Sequence, residues 1–153
     1  MSEDMVNFEV GQKAPDFEAR LTDGTTIRLS AILDGGQKLI LYFYPKDSTP
    51  GCTTQACDFR DNFARLKSVG YRVIGVSKDS AKSHTNFIEK HALNFELIVD
   101  QDIELHRLYG VWREKMKYGK TYLGVSRSTF VIGLDGNFEF VGYNVRATGH
   151  VER

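Results

Sequence analysis

Leu39-Ile40-Leu41-Tyr42-Phe43-Tyr44-Pro45-Lys46-Asp47-Ser48-Thr49-Pro50-Gly51-Cys52-Thr53-Thr54 is the stretch that decides the fold. Its first six residues are an uninterrupted apolar run, which reads as a buried strand. Two prolines and a glycine then punctuate a strand-to-helix turn. Beyond the turn, Cys52, Ala56, Phe59, Phe63 and Leu66 recur every three or four residues, forming one apolar stripe of an α-helix. Asp58, Arg60, Asp61, Asn62 and Lys67 fall off that stripe. Cys52 therefore sits in the first helical turn, where unpaired N–H groups and the helix dipole favour an anion. Such a site favours the thiolate, the reactive form of the residue. Thr49 and Gly51 add a hydroxyl and approachable backbone N–H groups, a small oxyanion pocket around a nucleophile.

The second and last cysteine, Cys57, follows five residues later and leaves the buried face. Five residues of helix advance about 7.5 Å, which puts the two Cα atoms roughly 8 to 9 Å apart. A disulfide needs Cα atoms within about 7 Å. Either the two thiols never pair, or the first turns of the helix unwind to let them.

Working outward, strands and helices alternate. A hairpin is expected near Phe17 to Leu29, turning at Asp23-Gly24. The Cys52 helix ends near Gly70, and Arg72 to Ser77 is a second buried strand. Ser80 reads as the N-cap of a helix running through His91. Leu97-Ile98-Val99 is a short strand ending at Asp100, and Ile103 to Tyr109 gives one or two helical turns. Ser128 to Ile132 and Asn137 to Val141 pair around Asp135-Gly136. The order defines an α/β fold, a sheet flanked by helices. Thr148 to Arg153 begins a further helical pattern that stops within two turns, so extending it is expected to raise thermal stability modestly.

The 153 residues suit a single domain spanning 1–153. Formal net charge is zero, which gives no pull toward nucleic acid or an anionic membrane. The acidic start, Met1-Ser2-Glu3-Asp4, is not that of a signal peptide, and no apolar run reaches membrane-spanning length. Two cysteines without an export signal point to a reducing, cytoplasmic setting and a transient disulfide. Metal binding is disfavoured, because His84, His91, His106 and His150 lack paired short spacing and no Cys-x-x-Cys is present. The histidines are expected at the surface or partly buried. Dithiol exchange of the Cys-x-x-Cys kind is disfavoured by the same spacing. The basic residues Arg107, Arg113, Lys115, Lys117 and Lys120 read as a solvated loop. Arg127 differs, because it immediately precedes a buried strand and can reach the end of a neighbouring one.

The run from Phe43 to Asp61, with its Pro45-(x)3-Thr49-(x)2-Cys52 core and with Cys57, resembles the active-site motif of peroxiredoxins of the Q, or bacterioferritin comigratory protein, subfamily. Gly124-Val125-Ser126-Arg127-Ser128-Thr129-Phe130 fits the same resemblance, which extends from Val10 to His150. It implies a thioredoxin-like fold, with a central mixed β-sheet flanked by helices and an N-terminal β-hairpin. It also implies a monomeric peroxidase without metal, flavin or haem, acting on hydrogen peroxide and organic hydroperoxides. Cys52 would be the peroxidatic nucleophile and Cys57 the resolving thiol. Thr49 and Arg127 would hold the reacting oxygens, and Pro45 would shield the sulfur. Thioredoxin or a glutaredoxin-like protein would reduce the resulting disulfide. The alternative is a redox-sensing or chaperone-like module using the same cysteine pair as a switch.

Overall fold

In the computed structural model, residues 7–117 and 119–143 are described. The buried run forms strand β3 (Lys38–Phe43), whose side chains alternate between two cores. Leu39, Leu41 and Phe43 enter one, while Ile40, Tyr42 and Tyr44 enter the other. A strand buried on both faces needs no polar alternation, which is why it reads as continuous apolar sequence.

β3 lies inside a seven-stranded sheet. On the N-terminal side of the chain are β1 (Glu18–Leu21), β2 (Thr26–Arg28) and a short helix α1 (Leu29–Asp34). After β3 come α2 (Pro50–Ser68), β4 (Tyr71–Ser77), α3 (Ala81–His91), β5 (Glu96–Val99) and α4 (Glu104–Leu108). Strands β6 (Trp112–Lys117), β7 (Lys120–Val125), β8 (Ser128–Ile132) and β9 (Phe138–Gly142) complete the order. The sheet runs β2-β1-β5-β4-β3-β8-β9. β3, β4 and β5 are mutually parallel, and β1 and β8 add antiparallel neighbours on either side. The expected mixed sheet, flanking helices and N-terminal hairpin are all present.

The two parallel crossovers, β3-α2-β4 and β4-α3-β5, step in the same direction across the sheet. Right-handed crossovers then place α2 and α3 on one face. That face holds Cys52, Ala56, Phe59 and Phe87 with Tyr42, Tyr44 and Leu97. The opposite face packs α1 and α4, through Leu29, Ile32 and Leu105, against Leu41, Phe43 and Phe130. Gly75 on β4 lets the aromatic layer close. A Cβ there would stand 2.8 Å from Leu97 Cδ2 and 2.8 Å from Tyr42 Cζ.

Ser80 caps α3 as expected, its side chain accepting from the Ser83 N–H. Two expectations are corrected. Of the basic residues read as a solvated loop, Arg107 lies on α4, and Arg113, Lys115, Lys117 and Lys120 lie on a two-stranded ribbon of β6 and β7. Within it, the Arg113 guanidinium donates to Gly110 O at 2.6 Å and lies 4.0 Å from the Tyr143 ring centroid. His84 and His106, expected near the surface, are fully buried. Each does so by pairing with a carboxylate, Asp47 for His84 and Asp100 for His106. The helix α1 was not anticipated. The helical pattern at Thr148 to Arg153, together with His150, lies outside the described residues.

Candidate active site

β3 delivers the chain to its carboxyl end, and the loop from Tyr44 to Thr49 turns it into α2. Thr49 is the N-cap in extended conformation, with Pro50 at the first helical position. The first bond across the cap runs from the Thr53 N–H to Thr49 O at 2.8 Å. The N–H groups of Gly51 and Cys52 precede that bond, so they have no acceptor within the helix. The Thr49 side chain caps neither of them. Its hydroxyl donates instead to Lys46 O at 2.9 Å, which leaves its oxygen as an acceptor.

Cys52 is buried and Cys57 half-buried, and both are free thiols. α2 runs unbroken from Pro50 to Ser68, so the spacing argument for their separation applies to it. Phe59, one turn beyond Ala56, stacks on Tyr42 with ring centroids 4.4 Å apart, closing the floor below Cys52. Burial, and next the charge of the nearby Cys52, push the Tyr42 phenol well above its ordinary range.

β8 brings in the opposing charge. It runs antiparallel to β3, with Ser128 paired to Phe43, so the residue before Ser128 arrives beside the carboxyl end of β3. That residue is Arg127. Its Nη2 donates to Cys52 Sγ at 3.2 Å, and its Nη1 donates to Gln55 Oε1 at 2.6 Å. A planar guanidinium held at two nitrogens cannot swing away from the sulfur without breaking the second bond. Gln55 is fully buried one turn after Cys52 on the same helix face. Sequence reading missed it, although its spacing of three from Cys52 was a usable signal. Pro45 is half-buried at the start of the loop.

A second missed group holds the loop from behind. Asp47 is buried and accepts from the Tyr44 hydroxyl at 2.5 Å, the Ser83 hydroxyl at 2.8 Å and His84 Nδ1 at 2.7 Å. Burial works against its ionised form. The hydrogen bonds from His84, Tyr44 and Ser83 prevail and hold the carboxyl below its ordinary value. Among the described residues no cluster of three or more His, Cys, Asp or Glu is arranged to hold a metal ion. No described helix is long and apolar enough to cross a membrane.

The site is a buried thiol at a helix start, with two N–H groups that have no acceptor within the helix and a clamped cation on its sulfur. It suits attack by sulfur on an electrophilic oxygen, with charge developing beside fixed donors. Comparison with known proteins agrees with that chemistry. The sequence matches the AhpC/TSA family over residues 10–141. It is 44% identical over 146 residues to peroxiredoxin Bcp of Bacillus subtilis, covering 95% of this chain and 92% of that protein. A solved Xanthomonas campestris bacterioferritin comigratory protein, described for alkyl peroxide reduction, superposes with a TM-score of 0.86. It is 38% identical and covers 94% of this chain and 93% of its own. A Cys-to-Ser variant of Xylella fastidiosa peroxiredoxin Q gives a TM-score of 0.88 at 33% identity, over 96% and 92% of the two chains. The chain belongs to the AhpC/TSA family and, within it, to the peroxiredoxins of the bacterioferritin comigratory, or Q, type. It is accordingly a thiol-dependent peroxidase.

Proposed function

We propose that this single-domain protein reduces hydrogen peroxide and organic hydroperoxides through Cys52, and that Cys57 resolves the product. The Cys52 thiolate attacks one peroxide oxygen, and the O–O bond breaks. The other oxygen leaves as water or an alcohol after taking up a proton. Cys52 becomes a sulfenic acid, two electrons having passed from sulfur to oxygen. Arg127 supports charge spread over sulfur and two oxygens as that bond lengthens, and the Cys52 N–H and Thr49 oxygen orient the peroxide. Pro45 walls the sulfur from water.

The Cys57 thiol then attacks the sulfenic sulfur, forming the disulfide and releasing water. The helix spacing requires the start of α2 to unwind for this step. An external dithiol, thioredoxin or a glutaredoxin-like protein, returns both thiols by exchange. Because both cysteines are in one chain, a monomer in the cytoplasm is sufficient.

The observation that carries this reading is the 3.2 Å contact of Arg127 Nη2 with Cys52 Sγ, clamped through buried Gln55. A cation fixed on the sulfur favours the thiolate, the form that attacks peroxide. The test is peroxide consumption coupled to thioredoxin reduction, comparing the native chain with Cys52→Ser. Turnover is expected to vanish in the variant. Appreciable residual turnover would refute the nucleophile assignment.

A further inference from the structure

Asp47 lies in the loop between β3 and α2, five residues before Cys52. All its bonds point away from the site. Besides the three groups that donate to its carboxylate, its own N–H donates to Asp79 Oδ2 at 2.7 Å. Asp79 is itself held by the Ser77 hydroxyl at 2.9 Å. His84, the principal partner, sits on α3 and is fully buried. Its Nε2 faces Ile98 O at 2.9 Å, and a carbonyl can only accept. Its Nδ1 faces a carboxylate that already accepts from Ser83 and Tyr44. The ring therefore bridges the loop and β5, one nitrogen on the Asp47 carboxylate and the other on a backbone carbonyl. A buried carboxylate bonded to three side chains, two of them on α3, is a rigid tie between the loop and α3.

The next residue is of the opposite character. Ser48 is exposed and sits at φ 65°, in the left-handed region that side-chain-bearing residues seldom adopt. Thr49 then begins the cap of α2. Within three residues the chain passes from a buried anchor, through a strained exposed residue, to the helix start that must unwind for Cys57 to reach Cys52.

We propose that Asp47 and His84 are positioning residues that pin the β3–α2 loop to α3, so that the rearrangement joining Cys52 to Cys57 pivots at Ser48. This rests on the reading that the two cysteines form a disulfide. Residues 45–47 stay fixed while the start of α2 swings. The pin holds Thr49 and Cys52 in the arrangement that meets Arg127. Loosening it lowers the population of the peroxide-reactive arrangement, and the observed rate falls with that population. The same loosening favours the unwound arrangement, so disulfide closure is not slowed. Oxidation to sulfinic acid needs a second peroxide to reach the sulfenic acid before unwinding, and it is suppressed.

The test uses the full chain with His84→Phe, which removes both ring nitrogens, and His84→Asn, which keeps one amide donor for Asp47. Rapid-quench mass spectrometry follows Cys52 oxidation by hydrogen peroxide, then disulfide closure, then the peroxide concentration giving half-maximal sulfinic acid. For His84→Phe the first step is expected to slow about tenfold or more, closure to run at least at the native rate, and the sulfinic midpoint to rise. For His84→Asn the first step should stay within about threefold of native. If His84→Phe does not fold, Ser83→Ala removes one bond to Asp47 and should move all three readouts in the same directions by a smaller factor. Native rates for both steps in the folded variant, even with a lowered melting temperature, would make the Asp47–His84 pair merely structural and overturn the proposal. Failure of the native chain to form the disulfide would overturn the reading beneath it. A native chain that closes normally beside an unaltered variant would overturn only the anchor.

Discussion

Arg127→Lys separates a clamped, planar cation from a mere positive charge. In the native site the guanidinium uses one nitrogen on Cys52 Sγ at 3.2 Å and another on Gln55 Oε1 at 2.6 Å. Lysine has one nitrogen on a flexible stem, so it can satisfy the buried amide oxygen or the sulfur, not both in fixed geometry. An ammonium that keeps the bond to the fully buried Gln55 amide leaves the sulfur. The sulfur then loses a charge-assisted hydrogen bond, worth about 1.5–3 kcal/mol. Arg127 is itself only partly buried, which favours the lower half of that range. Converted at about 1.36 kcal/mol per decade, the loss is roughly 10- to 50-fold in the second-order rate constant for peroxide. Stopped-flow mixing of reduced protein with hydrogen peroxide under pseudo-first-order conditions measures that constant directly. The closure of the disulfide, which involves no contact with Arg127 in this account, should change little. A rate constant within about twofold of native would show that charge alone suffices and that the two-point clamp is irrelevant to the chemistry.

Three other outcomes follow from the same geometry. Cys57→Ser should still undergo the first oxidation but then lose thioredoxin-linked cycling and accumulate sulfinic acid under excess peroxide; normal cycling by mass spectrometry would exclude Cys57 as the resolving thiol. Gly75→Ala would force a methyl to 2.8 Å from both the Leu97 side chain and the Tyr42 ring, each fully buried, and should destabilise the fold by about 1–3 kcal/mol; an unchanged urea midpoint would contradict that packing. Asp47 and Asp100 are both opposed by burial yet held below their ordinary values, Asp47 first by His84 and Asp100 first by His106. Their folded values lie below their unfolded ones, so the stabilisation is complete above the ordinary aspartate value and drains away as pH falls through the lowered one. The urea midpoint should therefore hold between about pH 7 and 5 and decline below about pH 4; a midpoint unchanged at about pH 3 would refute the buried pairs.

Much of this arrangement was legible in the chain, for identifiable reasons. β3 was readable because two packed faces demand an unbroken apolar run. The start of α2 was readable because Thr49, Pro50 and the stripe from Cys52 agree on one boundary. The hairpin of β8 and β9 announced itself through Asp135-Gly136, with Gly136 at φ 85°. That Arg127 precedes a buried strand was visible too, but periodicity does not say which strand lies next to which. The antiparallel pairing of Ser128 with Phe43 is what turns that arginine into a neighbour of Cys52.

What escaped reading are polar residues in apolar surroundings and elements without a buried face. Gln55, Asp47 and His84 each look like surface residues by type, and only mutual satisfaction makes their burial tolerable. The β7 strand of the ribbon is exposed over most of its length, Tyr122 and Leu123 included, so its sequence carries no clean alternation. α1 spans only six residues, too few for a helical period to repeat.

The most direct measurement is the intact mass of the reduced protein after one equivalent of hydrogen peroxide, with a thiol-alkylating reagent added at intervals. The account predicts a rapid loss of two hydrogens, with neither cysteine alkylated, as Cys52 and Cys57 close into a disulfide. Two thiols still freely alkylated after minutes of exposure would contradict it.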